Sequence, residues 1–292
     1  MMYLLKIYIK KIVTTLLLAA LTLTASAQGM IIEKTGVGSS KKEKSDTLTL
    51  DKTTYRVTYQ SKTVRDTTEV PYKYRKDEMR LDISEAGLSK FYSYSKVLQE
   101  EFIKKQYAMG SFDLREMPKA GNLSWIFYKN YPAKGKTLML DEVGGTDCYI
   151  EENAETPEWT VVPDSTAEIL GYACQMAVTR FKGRQWTAWY TEDIPLDEGP
   201  WKLRGLPGLI LKAYDAQRQF VFEGAGLEQI AEPVTFIKKK REKVSMKDFI
   251  KLRATYDPND QIKGFSGKVV IVSSDGTKLD KIPKVKYNLI ER

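Results

Sequence analysis

Residues 171–215 read GYACQMAVTRFKGRQWTAWYTEDIPLDEGPWKLRGLPGLILKAYD. From Gly171 to Phe181 the pattern alternates with the period of a strand: Tyr172, Cys174, Met176 and Val178 share one face, and Ala173, Gln175, Ala177 and Thr179 the other. Lys182-Gly183-Arg184 is a short turn in which Gly183 takes positive φ. Gln185 to Thr191 then returns, setting Trp186, Ala188 and Tyr190 against Gln185, Thr187 and Trp189. The pair predicts a long hairpin with large aromatics on both faces of its second strand. Such a strand is either covered on both sides by chain or turns one aromatic face to a ligand. Ile194-Pro195, Gly199-Pro200-Trp201 and Gly205-Leu-Pro-Gly-Leu-Ile210 follow. Pro207-Gly208 suits a type II turn, with glycine supplying the positive φ at the third position. Leu209-Ile210-Leu211 opens another strand.

Outward from this stretch the sequence stays β-rich. Tyr55–Tyr59 alternates, and residues 123–128, 148–151, 158–162, 220–223, 234–238 and 268–272 are strand candidates. Gly144-Gly145, Pro157, Pro163-Asp164 and Ser274-Asp275-Gly276 punctuate them. Two helices are expected. One covers Lys96 to Tyr107, where Val97 and Leu98 are followed by Phe102 and Ile103 with charged residues between, and Gly110 closes it. The other opens at the capping box Ser245-Met-Lys-Asp248, with Phe249, Ile250 and Leu252 inward. Short period-2 runs favour one large antiparallel sheet, with two or three short helices, over βαβ units.

The N-terminus carries an address. Lys6, Lys10 and Lys11 precede the apolar run Ile12–Leu23, and Ala25-Ser26-Ala27 offers a signal-peptidase site. Residues 1–27 therefore read as a signal peptide, 28–50 as a flexible leader rich in Gly, Ser and Lys, and 51–292 as one domain. The mature chain is expected to be exported, first to the periplasm and otherwise to the cell surface or the extracellular space, and not to span the membrane. Of 292 residues, 46 are basic and 38 acidic; losing the three leader lysines leaves 43 against 38, a net charge of +5. Five charges on such a length, even with the run KKKREK at 238–243, do not make a nucleic-acid protein.

The sequence contains no histidine. That excludes a Ser-His-Asp triad, a Cys-His nucleophile and an HExxH zinc site. Two cysteines are too few for a thiolate zinc cage or an iron–sulfur cluster, and no cofactor is expected. Cys148 and Cys174, an even pair in an exported chain, favour a disulfide, with separate buried thiols as the alternative. A carboxylate-dependent hydrolase acting on glycans or peptidoglycan would need two of Glu192, Asp193, Asp215 and Glu223 to converge. Glu192 and Asp193, adjacent on an extended chain, point to opposite faces. Asp257-Pro-Asn-Asp260 with Gly264 lacks the full alternation of a calcium loop and reads as a turn. The binding candidates are Trp186, Trp189, Tyr190 and Trp201, as a platform for an apolar or carbohydrate ligand, and Arg184 (beside Arg180) for an anion. Gly205, Pro207, Gly208, Cys148 and Cys174 are the structural candidates.

The 171–215 stretch closely resembles the core of the GLPGLI family of exported Bacteroidota proteins, and Gly205–Ile210 is the naming hexapeptide letter for letter. Weaker likeness extends to flanking strands and to Tyr287-Asn288-Leu289-Ile290-Glu291, where Leu289 replaces a common proline. The family carries no established activity, so the resemblance transfers no catalytic residue. It implies an envelope β protein whose large antiparallel sheet is curved, bowl-like or a half-barrel, similar to a bowl-like accessory domain on some peptide-N-glycosidases. Members of that family are often encoded near outer-membrane nutrient-uptake receptors, so the resemblance implies such a receptor, or another envelope protein, as partner. On these grounds the expected role is non-catalytic binding, with a docking or chaperone-like surface as a further reading.

Overall fold

The computed structural model describes residues 30–31, 46–109, 116–119, 121, 123–261, 270–272, 278–282 and 287–292. The signal peptide, most of the leader, Gly110, Gly264 and the 274–276 turn lie outside them. The strands in chain order are β1 (Met30–Ile31), β2 (Asp46–Val64), β3 (Tyr74–Ser84), β4 (Ser89–Ser93), β5 (Ile126–Lys129), β6 (Lys136–Val143), β7 (Thr146–Asn153), β8 (Thr160–Ile169), β9 (Tyr172–Phe181), β10 (Arg184–Thr191), β11 (Leu209–Asp215), β12 (Phe220–Gln229), β13 (Pro233–Lys238), β14 (Glu242–Lys243), β15 (Val270–Val272) and β16 (Lys278–Leu279). The helices are α1 (Tyr94–Ala108) and α2 (Met246–Thr255). Two units emerge, one comprising Thr47–Asp141, Tyr149–Lys238 and Asn288–Arg292, the other Glu142–Cys148, Lys239–Tyr287 and the residues up to Asp46.

The protein is mostly β, built on one open 13-stranded sheet that does not close into a barrel. Its order is β14-β7-β6-β5-β4-β3-β2-β12-β11-β10-β9-β8, with β13 also on β2. The sheet is mixed overall rather than purely antiparallel, while every pairing from β6 through to β8 is antiparallel. β2 begins at Asp46, inside the span expected to be leader. Pro163-Asp164 does not end a strand: β8 runs through it as an irregularity between Val161 and Thr166, with Asp164 at φ 58°. Proline is tolerated because β8 is an edge strand and its missing N–H removes no essential ladder bond.

In the larger unit the alternation forecast for Tyr55–Tyr59 holds, and Val57 and Tyr59 are fully buried. The register aligns Val57 with Leu81, Leu81 with Phe91, and Phe91 with Phe127, so one face of β2–β5 forms a continuous apolar row. Phe91 is its hub, with ring centroids 5.8–6.1 Å from Phe222, Trp125 and Tyr59. Trp186, Ala188, Ala213 and Phe222 continue the same face through β10–β12. We call it the inner face. Opposite it lies a second, smaller cluster in which Val234 and the ring of Phe236 on β13 pack on Tyr128, Leu138 and Leu140.

What covers the inner face is the segment between β10 and β11, residues 192–208. Ile194, Trp201, Leu203 and Leu206 are all buried. The Leu203 N–H donates to Pro200 O at 3.1 Å, closing a turn in which Trp201 adopts φ 55°. The indole of Trp201 then rests 5.6 Å from Trp186 and 5.9 Å from Phe181, centroid to centroid. The two glycines of the hexapeptide serve differently from the expected type II turn. Gly205 is the one with positive φ (91°), and a Cβ there would overlap the Thr156 methyl. Gly208 is not left-handed; a Cβ there would stand 2.6 Å from Thr191 C and closer still to its carbonyl oxygen. It is a close-approach glycine, letting the segment lie against the end of β10.

α1 is capped by Ser93, whose Oγ accepts from Lys96 N and donates to Asp77 Oδ1 at 3.0 Å. The helix is longer than expected and more open: only Gln99 is buried, and Leu98 is 37% exposed. In the smaller unit, β1, β15 and β16 form a three-stranded sheet, and Gly144-Gly145 is left-handed at both residues, as a tight turn requires. Ser245 caps α2 by accepting from Asp248 N. Asp248 meets the Ser245 hydroxyl (2.6 Å) rather than reaching back to the main chain, and Leu252 faces out. A 3-10 helix covers Pro258–Gln261, and the Asp260 N–H donates to Asp257 O at 3.0 Å. Asp257 Oδ1 is taken up by Asn259, which also clamps Ile282 through both its side-chain atoms.

Candidate functional site

The hairpin turn is two residues long, Phe181 pairing with Arg184, and both Lys182 (φ 49°) and Gly183 (φ 77°) are left-handed, which defines a type I′ turn. Arg184 is thus the first residue of β10 and points inward. Its guanidinium is fully enclosed, donating to Asp215 Oδ2 (2.7 Å), Gln219 Oε1 (3.1 Å), Ile290 O (2.9 Å), Asn288 Oδ1 (2.7 Å) and Leu289 O (2.6 Å). The ring of Phe220 lies 4.5 Å from it. Burial pushes its pKa down to about 10, opposed by Asp215, so it keeps its charge at neutral pH. The expected anion grip is therefore corrected. Arg184 is spent on a carboxylate and carbonyls of its own chain because the I′ turn aims it into the core. Arg180, two residues before the turn, is exposed.

A second polar centre ties the 192–208 segment to β5. Lys129 is 1% exposed and donates to Gly199 O at 2.8 Å while pairing with Glu198, whose Oε1 also accepts from Ser89 Oγ. Burial draws the Lys129 pKa down and Glu198 draws it back up. Nearby, Lys202 bridges Glu152 (2.6 Å) and Glu291 (2.7 Å), and Arg204 pairs with Asp197. Lys129, Lys182, Lys202 and Arg204 line a shallow cavity of about 270 Å3, counted with the open solvent at its mouth. These four cations meet Glu198, Glu155, Glu291, Glu152 and Asp197, so their charge is already balanced and the cavity does not select anions.

The opposite, outward face of β9–β12 is the exposed one. Trp189 lies between Met176 on β9 and Lys212 on β11; Thr187 lies between Val178 and Tyr214. All six are half-buried. Arg218 caps the Tyr214 ring at 3.9 Å, and Glu223 on β12 joins Lys212 (2.7 Å) and Lys62 (3.7 Å). The result is an indole flanked by hydrogen-bonding and charged groups on an open sheet.

Of the aromatic candidates, Trp186, Tyr190 and Trp201 are core residues, at 0%, 3% and 1% exposure. The alternation of β10 sends Trp186 and Tyr190 inward, and the turn at 200–203 folds Trp201 onto Trp186. They form no platform; Trp189 alone of the four faces outward. Trp159, also half-buried, is engaged through its N–H to Arg204 O at 2.7 Å. Cys148 and Cys174 are both buried and are not joined by a disulfide; β7 and β9 are not neighbours in the sheet. The four carboxylates do not converge. Asp215 is sealed against Arg184 on the inner face, Glu223 is ion-paired on the outward face, and Glu192 and Asp193 are exposed past the end of β10. Sequence reasoning missed Lys129, Glu198, Lys202 and Tyr214. A lysine in an apolar strand (Ile126–Lys129) was the one available signal for the first.

The fold and face together define a class: an open β sheet whose inner face is filled by its own inter-strand segment and whose outward face carries a half-buried tryptophan. Residues 179–212, the hairpin and the filling segment, match the family model described as "Protein of unknown function (Porph_ging)". No curated protein matches the sequence. Among solved structures the chain is similar to PNGF-II, crystallised in P21 and C2 space groups, at 15% and 14% identity with TM-scores of 0.44 and 0.43. These alignments cover 68% and 77% of this chain but only 33% and 39% of the other, so the chain spans less than two-fifths of either.

Proposed function

We propose that this chain is an exported, non-catalytic binding domain of GLPGLI type that recognises a carbohydrate through the outward face of β9–β12. The carrying observation is Trp189, partly exposed at the centre of that face while Phe181, Trp186 and Tyr190 of the same hairpin are core. Its indole supplies a flat apolar surface for a sugar ring. Thr187, Lys212, Glu223 and the Arg218–Tyr214 stack surround it with the donors and acceptors that hydroxyl groups need. A purely apolar ligand would desolvate the Lys212–Glu223 pair beside the indole with nothing to compensate it. The signal-peptide pattern of residues 1–27 supports export, and an outer-membrane uptake receptor is the proposed neighbour in the envelope.

The test is titration of the protein with neutral and uronic-acid-containing oligosaccharides, followed by tryptophan fluorescence and calorimetry. Trp189→Ala is expected to weaken binding at least tenfold, with Trp159→Ala leaving it within about twofold and both retaining the wild-type circular dichroism. Equal binding by wild type and Trp189→Ala, or no binding of any saccharide in the panel, refutes the reading.

A further inference from the structure

Arg184 divides its hydrogen bonds by origin. Nη1 serves the frame, donating to Asp215 and Gln219, and Asp215 is itself fixed by accepting from Phe220 N at 2.8 Å. Nε and Nη2 serve only residues 288–290, meeting two main-chain carbonyls and one side-chain amide. Around this fork the same segment finds further partners. Asn288 Nδ2 donates to Val64 O (2.9 Å), Arg292 N donates to Lys182 O (3.1 Å), and Glu291 reaches Lys202 (2.7 Å) and Lys182 (3.6 Å). Every receiving group belongs to β2, the hairpin turn, β10, the β11–β12 turn or the 192–208 segment. The socket is therefore assembled without residues 288–292.

We propose that this socket is a peptide-recognition site for an extended segment of the form Asn-x-Ile-Glu, and that residues 288–291 occupy it as a separable strap. A guanidinium held at Nη1 by a carboxylate and a side-chain amide oxygen, and offering Nε and Nη2 to backbone carbonyls, binds main chain in a fixed register. Asn288 and Glu291 add sequence selectivity, and Ile290, 7% exposed, is the buried apolar anchor. One such anchor and a handful of hydrogen bonds put the strap among the parts of a protein that open locally. Through Glu291 and Lys202 its seating is coupled to Trp201 and the segment that fills the inner face.

The experiment uses the full-length chain. In wild type, the Arg292 amide is expected to exchange its hydrogen at least a hundredfold faster than the amides of β10, because the strap opens without the sheet. The labelled, N-acetylated peptide Asn-Leu-Ile-Glu-Arg is expected to bind the strap-weakened variant Asn288→Ala/Ile290→Ala at least tenfold more tightly than wild type, whose own strap competes at high effective concentration. Adding Arg184→Lys to that variant is expected to abolish the binding. Exchange of the Arg292 amide only with global unfolding overturns the proposal, whether or not the variants fold. Failure of a folded strap-weakened variant to take up the peptide, or uptake indifferent to Arg184→Lys, overturns it equally.

Discussion

At the residue scale, two kinds of glycine need separating. Gly171, between β8 and β9, has φ 81° and open space where a Cβ would go, so Gly171→Ala carries only the left-handed backbone penalty, about 1 kcal/mol. Gly208 has an ordinary φ and no space, because the Thr191 main chain occupies it. Gly208→Ala is expected to lower the unfolding free energy by at least about 3 kcal/mol, read as a shift of the urea midpoint with unchanged slope. Parity of the mutants would show that close approach does not decide this site. From sequence, Pro207-Gly208 looked like a turn demanding positive φ. The dipeptide carries no information on the strand end it meets, 17 residues upstream. Arg184 was opaque for a related reason, since its partners lie 31 residues or more downstream. Trp186 and Tyr190 sat correctly together on one face; which face meets chain and which meets solvent was not written in the alternation.

At the element scale, the start of α1 is bound to β3 through one carboxylate. Asp77 accepts from the capping hydroxyl of Ser93 and from Gly121 N (3.2 Å), and burial raises its pKa above the ordinary aspartate value despite these bonds. A raised carboxyl pKa means the folded state takes up its proton before the unfolded chain does. The ionised group thus weakens the fold near neutrality, and that penalty is relieved as pH falls through the folded pKa toward the ordinary range. The stability of wild type relative to Asp77→Asn is expected to rise as pH is lowered from 7 toward 4, measured by urea unfolding at each pH. A difference that falls or stays flat would contradict the assignment. The hairpin, the capped helices and most strands were legible because each is set by local period and turn chemistry. The passage of β8 through Pro163-Asp164 was not, because only its place at the sheet edge makes that proline harmless.

For the larger unit as a whole, the buried pair Lys129–Glu198 joins the filling segment to β5, on the far side of the inner face from β10. Removing one partner leaves an uncompensated charge in the core. Glu198→Ala is expected to cost about 3–5 kcal/mol, whereas Lys129→Met/Glu198→Leu is expected to regain most of it. Additive losses in that double mutant, measured by chemical unfolding, would show that the pair is not coupled. The filling segment has one further consequence. It is spliced between two strands that pair with each other, so the stuffing of this sheet arrives with its own walls. β9, β10, residues 192–208 and β11 form a contiguous stretch of chain whose apolar parts meet at short loop-closure distances. Its contacts can close within one short piece of chain, whereas the pairing of β2 with β12 must bring together strands about 160 residues apart.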